Sequence, residues 1–227
     1  MNPSVRIEGI YGEQYVDLLA KEDICSFTLD FRPKSFNFLQ HHIFLEILNS
    51  SRNRPTNIFL HFDQAPNFVI QKFIDDGKSV LRSINPGCPI QLLLEFSDAR
   101  EITFYEQFAH PFIWHWHPLA DFEKILGCPH LKGVVFSYEQ ILKQYDQGRF
   151  DDFYKNICSN FIPQLKKKNC YIILAVDWSH ELLPSVLEFM EVDIFSYPIN
   201  KHVELAYRVP NVALLKEKLI GLRQMRC

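Results

Sequence analysis

Along this chain, short runs of nearly unbroken apolar residues alternate with longer stretches whose apolar positions recur every three or four residues. The first pattern suits a strand and the second an amphipathic helix. The runs RIEGI (6–10), SFTLDF (26–31), NIFLHF (57–62) and PIQLLLEF (89–96) are each followed by a helix-period segment, such as EQYVDLLAKE after the first. The same holds for FIWHWH (112–117), LKGVVFSY (131–138), CYIILAVD (170–177) and DIFSYPI (193–199). Strands apolar on both faces belong to a sheet covered on both sides. Repeated strand-then-helix units imply parallel strands joined by right-handed crossovers.

Eight such units in 227 residues predict an α/β fold, a single (β/α)8 TIM barrel occupying residues 1–227 as one domain. An open doubly wound sheet is the alternative. It usually carries a glycine-rich first turn, which this chain lacks. The sixth helical segment, 140–168, is the longest, and YDQGRFDD in its middle predicts a bend or a split into two helices.

Composition narrows the function more than the fold. A net charge of −3 offers no basic field for nucleic acid. The run Lys166-Lys167-Lys168 falls at a predicted helix end, where solvated lysines complement the helix dipole. No stretch approaches the roughly 20 apolar residues that span a bilayer, and the first residues show no charged-then-apolar signal pattern. Cys25, Cys88, Cys128, Cys158, Cys170 and Cys227 are scattered without CxxC spacing. Reduced, structural thiols in a cytoplasmic protein are therefore expected, with Cys227 exposed. Neither nucleic acid nor membrane is an expected partner.

Several motifs resemble those of phosphoribosylanthranilate isomerase. Arg6-Ile7-Glu8-Gly9 stands where that family opens with K-I-C-G. Phe31-Arg32-Pro33-Lys34-Ser35-Phe36-Asn37 follows its F-x-P-x-S-x-R, and Ile90-Gln91-Leu92-Leu93-Leu94 its V-Q-L-H-G. The likeness in length and order runs along nearly the whole chain, and the motifs match best in the first three units. The resemblance implies a barrel that rearranges an aminoaldose phosphate to an aminoketose phosphate, using a general base and a general acid. The departures fall on the functional positions. The family's cysteine base is matched by Glu8, its aspartate acid on the sixth strand by Ser137, and its substrate-holding arginine by Asn37. The family holds phosphate on glycine-rich turns after strands seven and eight. Here those turns read Ala175-Val176-Asp177-Trp178 and Ser196-Tyr197-Pro198-Ile199-Asn200. Glycine is absent from both, Pro198 has no N–H to give, and Asp177 repels a dianion.

In a barrel of this kind chemistry sits at the C-terminal ends of the strands. The polar residues there are Glu8, Asp30, His61, Asp63, Glu95, Asp98, His115, His117, Ser137, Asp177 and Ser196. Glu8 and His115 are the candidate acid/base residues. Arg32, Lys34, His61, His117, Ser137 and Asp177 are candidate ligand contacts. A carboxylate in a barrel mouth is desolvated, which can make Glu8 a usable base. The plainer expectation for Glu8 is a buried ion pair with Arg6, His115 or Lys201. Ser35 is expected to cap the following helix. His115 and His117 share one strand face, with Trp114 and Trp116 coating the other. With His61 and Glu8 they have the residue types of a metal site, but the spacing is weak, and neither a metal nor another cofactor is expected.

Three functions follow as expectations. The first is a repurposed barrel that has lost isomerase activity and binds a small molecule at its mouth or a protein partner, as a monomer or homodimer. The second is an acid/base enzyme on a sugar-like or aromatic substrate, with Glu8 as base. The third is an active isomerase. Fold likeness alone does not choose among them.

Overall fold

The computed structural model of the protein describes residues 3–51, 54, 56–84, 90–118, 122–181 and 184–224. Eight strands close into a barrel in chain order. They are β1 (Ser4–Glu8), β2 (Ser26–Asp30), β3 (Thr56–Phe62), β4 (Ile90–Phe96), β5 (Phe112–His115), β6 (Leu131–Ser137), β7 (Tyr171–Ala175) and β8 (Ile194–Pro198). Every neighbouring pair is parallel, including β1 with β8. This is the expected TIM barrel, and closure of β1 on β8 excludes the open sheet.

The helices that follow the strands are α1 (Gln14–Lys21), α2 (His41–Ser51), α3 (Asn67–Ile84), α4 (Ile102–Glu106) and α5 (Phe122–Gly127). After β6 the long segment splits, as its polar centre predicts, into α6 (Tyr138–Asp146), α7 (Phe150–Phe153), a π-helical run Tyr154–Phe161 and α8 (Ile162–Lys167). Gly148, at φ +66°, takes the left-handed turn between α6 and α7. α9 (Pro184–Phe189) follows β7. After β8 a small hairpin, β9 (Glu204–Ala206) and β10 (Val209–Pro210), precedes α10 (Val212–Gln224).

Two apolar layers hold the barrel. Phe59, Leu93, Ile113, Val135, Ile173 and Ile194 fill the interior. The opposite faces of the same strands pack on the helices, and Trp114 and Trp116 lie there as expected. Six strands thus supply an apolar inner layer. The inward positions of β1 and β2 are polar, and that asymmetry places the site.

Some boundaries differ from expectation. β1 ends at Glu8 because Gly9, at φ +72°, turns the chain, and both Gly9 and Ile10 donate their N–H to the Thr28 carbonyl. A Cβ at Gly9 would lie 2.4 Å from Asn37 Nδ2, so the turn also requires the absence of a side chain. β5 ends at His115, which leaves His117 in the following loop. Two of the three lysines expected in solvent are engaged. Lys166 pairs with Asp193 at 2.6 Å, and Lys168 Nζ donates to the Leu126 carbonyl. Cys25 is exposed, and Cys128, Cys158 and Cys170 are buried free thiols. Cys88 and Cys227 lie outside the described residues. Among the described residues no helix is long and apolar enough to cross a membrane.

Candidate functional site

Strand alternation and register assemble the site. Arg6 pairs in register with Ser196, Glu8 with Thr28, and His61 with Glu95. All six side chains therefore project into the upper barrel. Arg6 is fully buried and acts as the hub. Its Nε donates to Ser196 Oγ at 2.7 Å, its Nη1 to Glu95 Oε2 at 2.9 Å, and its Nη2 to Glu8 Oε1 at 2.7 Å. Ser196 Oγ in turn donates to Glu8 Oε1 at 2.6 Å. The guanidinium also lies over the Phe59 ring, 4.8 Å from its centroid, so the apolar layer floors the polar one. A guanidinium can be buried this completely only because its donors meet acceptors in fixed geometry.

Glu95 is as deeply buried as Arg6. Its two oxygens do different things. Oε2 takes Arg6 Nη1 and the Thr28 hydroxyl, the latter at 3.4 Å. Oε1 takes His115 Nε2 at 2.6 Å, also accepts from Arg6 Nη2 at 3.2 Å, and faces His61 Nδ1 at 3.8 Å. The two imidazoles stack with centroids 4.7 Å apart. Burial alone would raise the Glu95 carboxyl, but the Arg6 charge offsets it and holds the group well below the usual carboxylate range. Burial pushes His61 down to about 3, so its ring is neutral at neutral pH. Among the described residues no hydrogen bond satisfies the buried His61 Nε2.

Beside this hub, Asp30 organises the loop after β2. It accepts from Arg32 Nε at 2.9 Å and Nη2 at 2.6 Å, and from Ser35 Oγ at 2.6 Å. Ser35 Oγ accepts from the Asn37 N–H. Ser35 is therefore not a helix cap, since α2 begins only at His41, and it closes a turn instead. Burial opposes ionisation of Asp30, but its bonds to Arg32 hold it below the usual carboxylate range. Arg32 is thereby committed to its neighbour. Lys34 is exposed, with no ion pair among the described residues.

The opposite side of the mouth, above β6 to β8, differs. A cavity of about 130 Å³ is bordered by Glu8, Ser137, Glu139, Ala175, Asp177 and His180. Ser137 caps α6 by accepting the Gln140 N–H at 3.4 Å. Asp177 accepts from the Ser179 N–H and hydroxyl and from Asn200 Nδ2. Asn37 Nδ2 donates to the Ile199 carbonyl at 2.7 Å, tying the second loop to the eighth. Trp178 stacks on Tyr197 and donates to the Pro198 carbonyl.

Of the eight residues singled out from the sequence, the fold brings Glu8, Ser137 and Asp177 to one small cavity and His61 and His115 to another cluster. Arg32 is tied to Asp30, and Lys34 stands in solvent. His117 leaves its expected partner. It donates to the Ser97 carbonyl at 2.7 Å, because β5 ends before it. Of the partners expected for Glu8, Arg6 is the one it pairs with. The hub role of Arg6 and Glu95 was not foreseen. The available signal was two charged residues in otherwise apolar strand positions, on the faces that alternation sends inward.

No family model matches this chain, and no curated protein does. Solved structures do. Phosphoribosylanthranilate isomerase from Thermus thermophilus superposes with a TM-score of 0.62 at 14% identity, covering 98% of this chain and 99% of that one. The enzyme from Thermotoga maritima gives 0.60 at 14%, with the same coverage. An HpcH/HpaI aldolase from Desulfitobacterium hafniense also reaches 0.62, at 8% identity, covering 99% and 93%. The chain thus has a phosphoribosylanthranilate isomerase-like TIM-barrel fold, which it also shares with other barrel enzymes.

Proposed function

We propose that this protein keeps an isomerase-like barrel without the isomerase reaction and serves as a binding barrel for a small, largely apolar molecule. The observation that carries this is the state of Glu8. The residue at the position of the family's base is held by Arg6 at 2.7 Å and Ser196 at 2.6 Å, beside a cavity of only about 130 Å³. Ligand pockets usually offer about 300–1,000 Å³. Three carboxylates border this one, which opposes a phosphate ester. A more suitable volume lies just outside the barrel, between the loops after β2 and β3. It measures about 340 Å³, with Phe31, Phe38, Leu39, Val69 and Phe73 in its walls. Asp63, Gln64 and His41 supply polar groups there. We take the chain as one domain over residues 1–227, acting in the cytoplasm as a monomer or homodimer.

The test has two arms. Phosphoribosylanthranilate should show no turnover above the uncatalysed rate. An environment-sensitive apolar fluorophore should bind, and Phe38→Asp should abolish that binding with the fold intact. Turnover of the phosphate substrate would overturn the proposal.

One contact favours a second reading, an acid/base enzyme. His115 is part-exposed at the mouth and is oriented by a buried carboxylate at 2.6 Å. In that chemistry His115, not Glu8, exchanges the proton.

A further inference from the structure

We infer that His61, Glu95 and His115 form a binding site for a divalent first-row transition ion such as zinc. Their nitrogen and carboxylate atoms all lie within 4.8 Å of one another, on three consecutive strands. Two imidazoles and one carboxylate are the donor types such ions take, and three protein ligands leave a position open towards the mouth.

The geometry is close to a loaded one. Bonds of about 2.0–2.2 Å in tetrahedral arrangement set donor atoms about 3.3–3.6 Å apart. The observed 2.6 Å from His115 Nε2 to Glu95 Oε1 and 3.8 Å from His61 Nδ1 to the same oxygen straddle that range. The widest pair of donor atoms lies within 4.8 Å, so side-chain adjustments of about an ångström bring the three to that spacing.

The surroundings are those of a supported ligand set. Arg6 holds both Glu95 oxygens, Nη1 on Oε2 at 2.9 Å and Nη2 on Oε1 at 3.2 Å, and the Thr28 hydroxyl reaches Oε2, which fixes the carboxylate with Oε1 towards the histidines. Such outer contacts orient ligating carboxylates. His61 is almost fully buried, and its Nδ1 faces the Glu95 carboxylate at 3.8 Å. Charge points the same way. One buried guanidinium faces two carboxylates, Glu8 and Glu95, while Asp30 is matched by Arg32. A cation at the histidines would add to the single guanidinium that these two carboxylates share in a largely dry interior.

The inference is independent of the apolar cleft, and either can fail alone. The experiment is a titration of the full chain at about pH 7.5 with zinc against a chromophoric chelator, repeated with cobalt(II) in visible absorption; ligands must shed their protons to bind, so affinity rises with pH. The expected result is a single tight site per chain with nitrogen and oxygen ligation. Removing groups that only support a ligand costs about 10- to 100-fold in affinity, so His115→Asn, which removes a ligand, should cost at least about 100-fold. His117→Asn, outside the cluster, should leave affinity unchanged. His61→Asn should match His115→Asn. If that variant fails to fold, the part-exposed His115 decides alone. Absence of tight zinc binding, full affinity in His115→Asn, or thiolate-to-cobalt absorption placing the ion on a cysteine would overturn the inference.

Discussion

The two sides of the barrel mouth are built on opposite principles. On the side of β1 to β5, a buried guanidinium, a buried carboxylate and two imidazoles interlock below the rim. On the side of β6 to β8, the inward groups are Val135, Ser137, Ile173, Ala175, Ile194 and Ser196, and the carboxylates Glu139 and Asp177 belong to the rim. Charge placed in a dry interior must be neutralised within it, which fixes every atom of the network. Charge on a rim can take local partners, as Asp177 does with Ser179 and Asn200. The resemblance to the isomerase puts its phosphate on the second side. Among the described residues no lysine or arginine borders the cavity there.

The comparison breaks most visibly at Glu95. Glu95→Gln leaves Arg6 buried with a single carboxylate partner, and loss of one member of a buried pair costs about 3–5 kcal/mol. Urea denaturation should show that loss. A cost under about 1 kcal/mol would mean that the hub is hydrated and not truly interior.

Next in size is the response to acid. His61 is held down to about 3 and His110 to about 4, in each case mainly by burial. The unfolded chain therefore binds protons that the folded chain does not. Stability is complete above the unfolded histidine pKa of about 6.5 and falls as pH drops below it, by up to about 1.4 kcal/mol per pH unit for each ring. His110 lies outside the hub, with Nε2 on the Leu92 carbonyl. His61→Asn should therefore lower the slope measured between about pH 6 and pH 5, above the range where the carboxylates contribute, by roughly half, and double substitution with His110→Asn should remove most of it. A slope unchanged in both variants would contradict the burial of these rings.

On the other side smaller effects are expected. Ser137→Ala removes a cap whose bond is long at 3.4 Å. The cost should fall at the low end of the usual range, about 0.5–1 kcal/mol in the thermal midpoint analysis. Lys34→Ala, on an exposed side chain, should change stability by less than about 0.5 kcal/mol.

The barrel was legible because eight apolar runs with interleaved helical periods leave few topologies open. The split of segment 140–168 was legible from Gly148 and its polar neighbours. The site was read in outline only. Strand ends named the right mouth residues, and alternation placed Trp114 and Trp116 outside. What escaped was pairing across strands. His61 meets Glu95 through the β3–β4 register, and Arg6 reaches Glu95 across 89 residues of sequence. No local pattern encodes either contact. His117 was misplaced because β5 stops two residues short of the apolar run that suggested it. Ser35 was read as a cap because its type favours one, while Asp30, five residues earlier, claims its hydroxyl.

The central claim is that the mouth, as built, does not accept the isomerase's phosphorylated substrate. Its most direct test is calorimetric titration with reduced 1-(o-carboxyphenylamino)-1-deoxyribulose 5-phosphate, the compound bound in one of the isomerase structures with this fold. The account predicts no binding heat up to about 1 mM, an affinity weaker than about −4 kcal/mol. Saturable binding in the micromolar range, lost in Glu8→Ala, would contradict it.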